Sequence, residues 1–251
     1  MGRLAIDFFH EAERLGGLAA KAQLAAVARV TSAEAATMDD SPEILAHLKA
    51  AMGQVRSQRV ARTVQPSAEG DVVPAGAEAR DATILRRQMR AVAELMSQRS
   101  LFLGDVAKTA RRVDEAAATS LNVERVSVWM LDARRTKITC LDLFERSPVR
   151  HSSGIELYRK DCEPYFAALE HERTIAAHDA HRDRRTSCFS ASYLKPLGIE
   201  SMLDVPISAR GAMAGVVCHE HVGSPRKWNS DEESFGYLMA TIIALSIERR
   251  Q

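Results

Sequence analysis

Long apolar runs are missing from this chain. Nothing in its 251 residues approaches the roughly 20 consecutive apolar side chains that span a bilayer. The opening stretch, MGRLAIDFFHEAERLGG, reaches acidic residues quickly and lacks the apolar core of a signal peptide. Charge of one sign is also missing. Lys and Arg number 34 against 33 Asp and Glu, so no basic excess favours nucleic acid or an anionic membrane surface. Cysteines are few and widely spaced (Cys140, Cys162, Cys188 and Cys218), with no C-x-x-C pair. They read as reduced thiols in a cytoplasmic protein. Aromatics make up 5% of the chain, while Ala and Leu are plentiful, which favours helix. There is no G-x-S-x-G, Walker loop, H-E-x-x-H, G-x-G-x-x-G or zinc-finger spacing, so the chain is not expected to be an enzyme.

What is present divides the chain into sections. Residues 1–57 read as a helical hairpin for dimerisation or interaction. Phe8, Ala12, Leu15, Ala19, Ala22 and Ala26 form one Ala-rich stripe at helical spacing. A second helix starts at DDSPEIL, with Ser41 as N-cap and Pro42 in the first turn. Residues 58–80, with Pro66, Pro74, Gly70 and Gly76, read as a flexible linker. Residues 81–120 read as one long signalling helix. Leu85, Met89, Val92, Met96, Leu103, Val106, Ala110, Val113 and Ala117 keep one heptad register, the pattern of a coiled coil.

Beyond residue 121 the period shortens. RVSVWML (125–131) and TKITCLDLF (136–144) read as strands joined by the turn DARR, and GIELYR (154–159) and TIAAHDA (174–180) as further strands. DCEPYFAALEHER (161–173) and RTSCFSASYLKPLG (185–198) read as helices, the second closed by Gly198. SMLDVPI (201–207) and AMAGVVCHEHV (212–222) read as strands joined by a turn over 208–211. The last helix opens with Ser230 as N-cap. The expected class is α+β: an α/β sandwich around a central antiparallel sheet, preceded by the helical hairpin and coiled-coil dimerisation region.

The stretch YLKPLGIESMLDVPISARGAMAGVVCHEHVG, followed by WNSDEESFGYLMATIIALSIE, resembles a GAF domain, as does AAHDAHRDRRT ahead of it. The resemblance runs from about residue 100 to 249. It implies a sensory or regulatory module of the kind found in bacterial signalling proteins. GAF domains bind cyclic nucleotides, bilins, haem or small metabolites, or nothing, so the resemblance leaves the cofactor open. In phytochromes the chromophore cysteine, followed by histidine, lies four residues before the helix tyrosine. Here that place holds Phe189-Ser190, with Cys188 one residue early, so a covalent bilin is not expected. Arg182, Arg184 and Arg185 stand where a phosphate could be held, but read better as a solvated charge run. Two further alternatives are phosphotransfer at His10, beside Glu11, and reduction of free methionine sulfoxide by low-pKa cysteines. The first lacks the rest of its box, and the cysteine pattern of the second does not match.

CHEH, residues 218–221, has the residue types of a metal site. On a strand, however, Cys218 and Glu220 point one way and His219 and His221 the other. Four ligands on opposite faces cannot share an ion. Position within the expected fold gives the ligand-site candidates: Cys140, Asp142 and Phe144 on the second strand, Tyr165 and Phe166, Phe189 and Tyr193 before the Gly198 turn, and Asp204. Core packing of the aromatics and a structural hydrogen bond at Asp204 are the plainer readings. The expected function is a non-enzymatic regulatory protein. It would sense a small ligand and relay it through dimer helices to a signalling partner, as a homodimer paired through the N-terminal and flanking helices. With the chain ending at Gln251, output is expected to leave through those helices or a separate partner. The competing class is a ligand-free adaptor or assembly protein.

Overall fold

A computed structural model describes residues 75–98, 100–101 and 105–249. The hairpin expected over 1–57, His10 included, lies outside the described residues, as does 58–74 of the expected linker. The chain divides into two units, Met1–Gln98 and Arg99–Gln251. In the first, α1 spans Ala75–Ser97. Its start corrects the expected linker, because residues 75–80 are helical. Along α1, Gln88 and Leu95 are buried, while the heptad positions Leu85, Met89, Val92 and Met96 are half-buried.

In the second unit, α2 spans Val106–Leu121. The single helix expected over 81–120 is therefore interrupted, with Gln98 and Asp105 outside helix. Asp105 adopts extended backbone and its carboxylate accepts from the Ala107 N–H, satisfying a donor that an uninterrupted helix would leave to its own carbonyls. Val106, Ala110, Val113 and Ala117, four of the nine residues of the expected heptad seam, are buried. They face their own sheet and the last helix, α4 (Ser230–Glu248). Thr109 and Ser246 join α2 to α4 by a buried hydroxyl contact of 3.0 Å.

The sheet is antiparallel throughout, in the order β3-β2-β1-β7-β6-β5, with β4 also paired to β2. Its strands are β1 (Arg125–Leu131), β2 (Lys137–Glu145), β3 (Arg150–Ser152), β4 (Glu156–Tyr158), β5 (Ile175–Ala177), β6 (Ile199–Ala209) and β7 (Ala212–Val222). The β6–β7 hairpin turns on two residues with left-handed backbone, Arg210 at φ 52° and Gly211 at φ 75°, the pattern that matches strand twist. Gly215 lies where β7 meets β1. A Cβ there would come within 2.0 Å of the Trp129 carbonyl oxygen, so only glycine fits the crossing.

The two faces of the sheet are covered differently. α2 and α4 pack on one. On the other, α3 (Glu163–His171) and an irregular helical run over 187–197 enclose a core that includes Trp129, Ile138, Tyr165, Phe166, Phe189 and Leu194. Burying each such side chain contributes about 1.5–3 kcal/mol. The run ends at Gly198, left-handed at φ 64°, as its sequence foretells. The cap of α4 is Asn229, one residue before the expected Ser230. Its side chain accepts from the Asp231 and Glu232 N–H groups, and Glu232 answers with a bond from the Asn229 N–H. Asn229→Ala is expected to cost about 1 kcal/mol, read as a lowered urea midpoint with an unchanged slope.

Candidate functional site

The face enclosed by α3 and residues 187–197 carries the candidate site. Alternation fixes which side chains reach it. On β1 these are Arg125, Ser127 and Trp129, which pair across to Glu220, Cys218 and Val216 of β7. On β6, Met202 and Asp204 stand opposite Glu220 and Cys218. CHEH splits as its strand period requires. His219 lies on the opposite face, buried, with its Nδ1–H donating to the Leu203 carbonyl at 2.7 Å. Burial holds its imidazole neutral, with a pKa lowered to about 4. Among the described residues no group of three His, Cys, Asp or Glu is arranged to hold a metal ion.

Six of the eight candidates from sequence meet on the enclosed face. Asp204 accepts a hydrogen bond from the Tyr165 hydroxyl, 2.7 Å from Oδ2. The same hydroxyl is 3.5 Å from Cys218 Sγ. Phe189 packs edge-on against Tyr165, ring centroids 5.0 Å apart, and Phe166 also packs edge-on against it at 6.0 Å. Cys140 belongs to the same core. Tyr193 donates to Glu220 Oε2 at 3.2 Å.

Asp142 and Phe144 do not join them, and a bulge in β2 is the reason. Val128 of β1 pairs with Asp142, but the next residue, Trp129, pairs with Cys140. Leu141 is thus the extra residue of a β-bulge, and the facing parity inverts there. Asp142 and Phe144 point to the α2 side. There Asp142 Oδ2 lies 2.7 Å from His151 Nδ1, and Oδ1 lies 3.6 Å from Arg111. Asp114 of α2 is wholly buried beside it, with neither oxygen hydrogen-bonded. Burial first, and the Asp142 charge second, push its carboxyl well above the ordinary range.

Two features of the site are not readable from the sequence. One is an ion network. Arg125 donates from Nε to Glu220 at 2.9 Å and from Nη1 to Glu145 at 2.6 Å, and Nη2 lies 3.4 Å from the Tyr193 hydroxyl. Arg125 and Glu220 are 95 residues apart in the chain. Burial raises the Glu220 carboxyl even though Arg125 opposes the rise, and its side chain is only 3% exposed. The other is a disulfide between Cys162 and Cys188, with Cα atoms 5.7 Å apart. It corrects the expectation of four reduced thiols. It also occupies Cys188, the sulfur nearest to the bilin-attachment position.

Electrostatics make the interior of the site a place for neutral groups. Burial pushes the Asp204 carboxyl up to about 8, against the lowering effect of the Tyr165 hydroxyl. Burial likewise raises the two free thiols, Cys140 to about 12 and Cys218 well above its usual value. A buried neutral thiol is a poor nucleophile. Asp204 Oδ1 has no hydrogen-bond partner although the residue is fully buried. Of the expected charge run, Arg182 is 88% exposed. Arg185 is not free: it donates to Asp183 at 2.6 and 2.8 Å and to Glu172 at 2.5 Å.

The sheet order, the two covering layers and the enclosed aromatic interior define a GAF-type sensor fold. The GAF domain family matches residues 105–247, and the chain belongs to that family. The fold is similar to the GAF domain from Acinetobacter phosphoenolpyruvate-protein phosphotransferase (18% identity, TM-score 0.52, covering 66% of this chain and 92% of that one). It is also similar to the phycocyanobilin-bound GAF domain from a cyanobacterial phytochrome (13%, TM-score 0.53, 64% and 93%). A third similar structure is a methyl-accepting chemotaxis protein, residues 122 to 287 (20%, TM-score 0.50, 62% and 94%). Comparison with curated proteins finds no match.

Proposed function

We propose that the chain is a non-enzymatic regulatory GAF protein. It takes a small ligand on the sheet face beneath α3 and residues 187–197, and relays the change through the helices of the opposite face to a signalling partner. The observation that carries the ligand is Asp204. Its fully buried carboxyl leaves Oδ1 unpartnered, an unfavourable state that a ligand's hydrogen bond would relieve. Held protonated up to about pH 8, the carboxyl suits an uncharged ligand with an acceptor group, not an anion. Trp129, Phe166 and Leu194 supply apolar surroundings. Membership of the GAF family supports the regulatory reading, and one structure of similar fold holds phycocyanobilin.

Close packing between sheet and helix supports the relay. A Cβ added to Gly236 of α4 would lie 3.1 Å from Val205 and 3.4 Å from His219. There is no slack to absorb a shift of β6 or β7. Coupling requires a ligand that favours one of two helix arrangements, read by a second copy on the outer faces of α2 and α4, since their apolar faces pack on their own sheet and on each other.

A second reading, a ligand-free adaptor, draws on the packing of the interior. Tyr165 and Phe166 are each 1% exposed and Phe189 8%, so side chains already occupy the space. Native mass spectrometry of the freshly purified chain separates the two. The sensor is expected to retain a small molecule that is shed on unfolding. A bare chain, purified repeatedly without adduct, decides for the adaptor.

A further inference from the structure

Cys162 and Cys188 sit in different elements. Cys162 is the residue before α3, buried at 3% exposure. Cys188 is in the first turn of the 187–197 run and is exposed. Their bond spans a sequence separation of 26. It is the covalent tie between the two pieces of chain that cover the enclosed face. Phe189, directly after Cys188, packs against Tyr165 of α3, so the bond holds that aromatic contact in place.

The run it ties down is the least regular helix of the fold. It passes from a 3-10 turn, Ser187–Phe189, through a π turn, Ser190–Leu194, to one α turn, Lys195–Leu197. Such mixed hydrogen bonding marks a segment that opens readily. Ala191, Ser192, Lys195, Pro196 and Leu197 are exposed along it, leaving Phe189 and Leu194 as its buried anchors. The other two cysteines, Cys140 and Cys218, are buried and unpaired. Only one cysteine pair in the described structure is therefore both joined and reachable from solvent.

We propose that Cys162–Cys188 is a reversible redox site, at which an external dithiol reduces the bond and so releases residues 187–197 from α3. The donor's thiolate attacks the exposed Cys188 sulfur. The Cys162 sulfur leaves as a thiolate and takes a proton. The donor's second thiolate then displaces Cys188 from the mixed disulfide. The donor ends as a disulfide, and the protein gains two electrons and two protons as two thiols. A disulfide oxidant reverses the sequence. The site regulates access to the enclosed face whether or not a ligand is retained there, so it does not depend on the ligand reading.

Hydrogen exchange of the whole chain, with and without millimolar dithiothreitol under native conditions, tests this. Thiol alkylation and mass spectrometry report which sulfurs are free. Reduction is expected to label Cys162 and Cys188 while Cys140 and Cys218 stay protected. Amides of 187–197 should exchange about tenfold faster or more, with the sheet unchanged, and glutathione disulfide should restore the slow rate. Cys188→Ser is expected to exchange fast without reductant and to ignore it. The proposal is overturned if the cysteines of the purified, air-exposed chain are unpaired, if the bond yields only when the whole sheet unfolds, or if reduction leaves 187–197 unchanged. The reduction arm needs no variant, so a poorly folding Cys188→Ser does not blunt the test.

Discussion

Asp204→Asn is expected to make the protein more stable than the parent at pH 7, by about 2–4 kcal/mol, and equally stable near pH 4. The cause is the buried carboxyl. Unfolded, an aspartate ionises around its ordinary 3.8, whereas folded Asp204 holds its proton up to about 8. Between those values the folded state binds one proton more than the unfolded state. Parent stability therefore falls as pH rises through that window, by about 1.4 kcal/mol per unit at most. Asparagine has no proton to lose and still offers the Tyr165 hydroxyl an acceptor. His219 contributes with the opposite sign. Its folded value near 4 lies below its ordinary 6.5, so its contribution is lost as pH falls from about 6.5 toward 4. It is common to both proteins and cancels in their difference. Urea unfolding of the pair across pH 4–8 checks this. An advantage for the variant that shrinks with rising pH would show that Asp204 is ionised in the fold.

Arg125→Met is expected to cost about 3–5 kcal/mol, because it leaves the buried Glu220 carboxylate without its cation. Arg125 reaches Glu220, Glu145 and Tyr193 together. Most of the loss is the cost of the stranded charge and not the value of the pair itself. The double variant Arg125→Met/Glu220→Gln is therefore expected to recover more than half of it, since glutamine is neutral and can still accept from Tyr193. Thermal unfolding of the two single variants and the double variant measures the coupling. A single variant within about 1 kcal/mol of the parent would mean that Glu220 is solvated or protonated without Arg125.

The elements legible in the sequence are the long ones. β1, β2, β6 and β7 are apolar-rich runs of seven to eleven residues bounded by turn signals, and α4 carries acids in its first turn. β3 has three residues, too few to show a period. The bulge in β2 shows in KITCLDLF only as a shift of apolar phase, from Ile138 and Cys140 to Leu141 and Leu143, with no glycine or proline to flag it. That one unmarked residue misassigned the faces of Asp142 and Phe144. The break before α2 left only weak marks: Arg99 is off the heptad pattern, which resumes at Leu103, and Asp105 offers a cap. Tyr165, Phe189, Tyr193 and Asp204 were found because the family pattern fixes their elements. Arg125–Glu220 and Cys162–Cys188 were not, because nothing local records that distant segments will meet.

The relay reading has one central requirement: motion on the enclosed face must reach helices that a second copy can read. Multi-angle light scattering of the 251-residue chain at micromolar concentration addresses it directly. A mass of twice 27.6 kDa is the expected result. A single species at 27.6 kDa, unchanged on concentration, would contradict it.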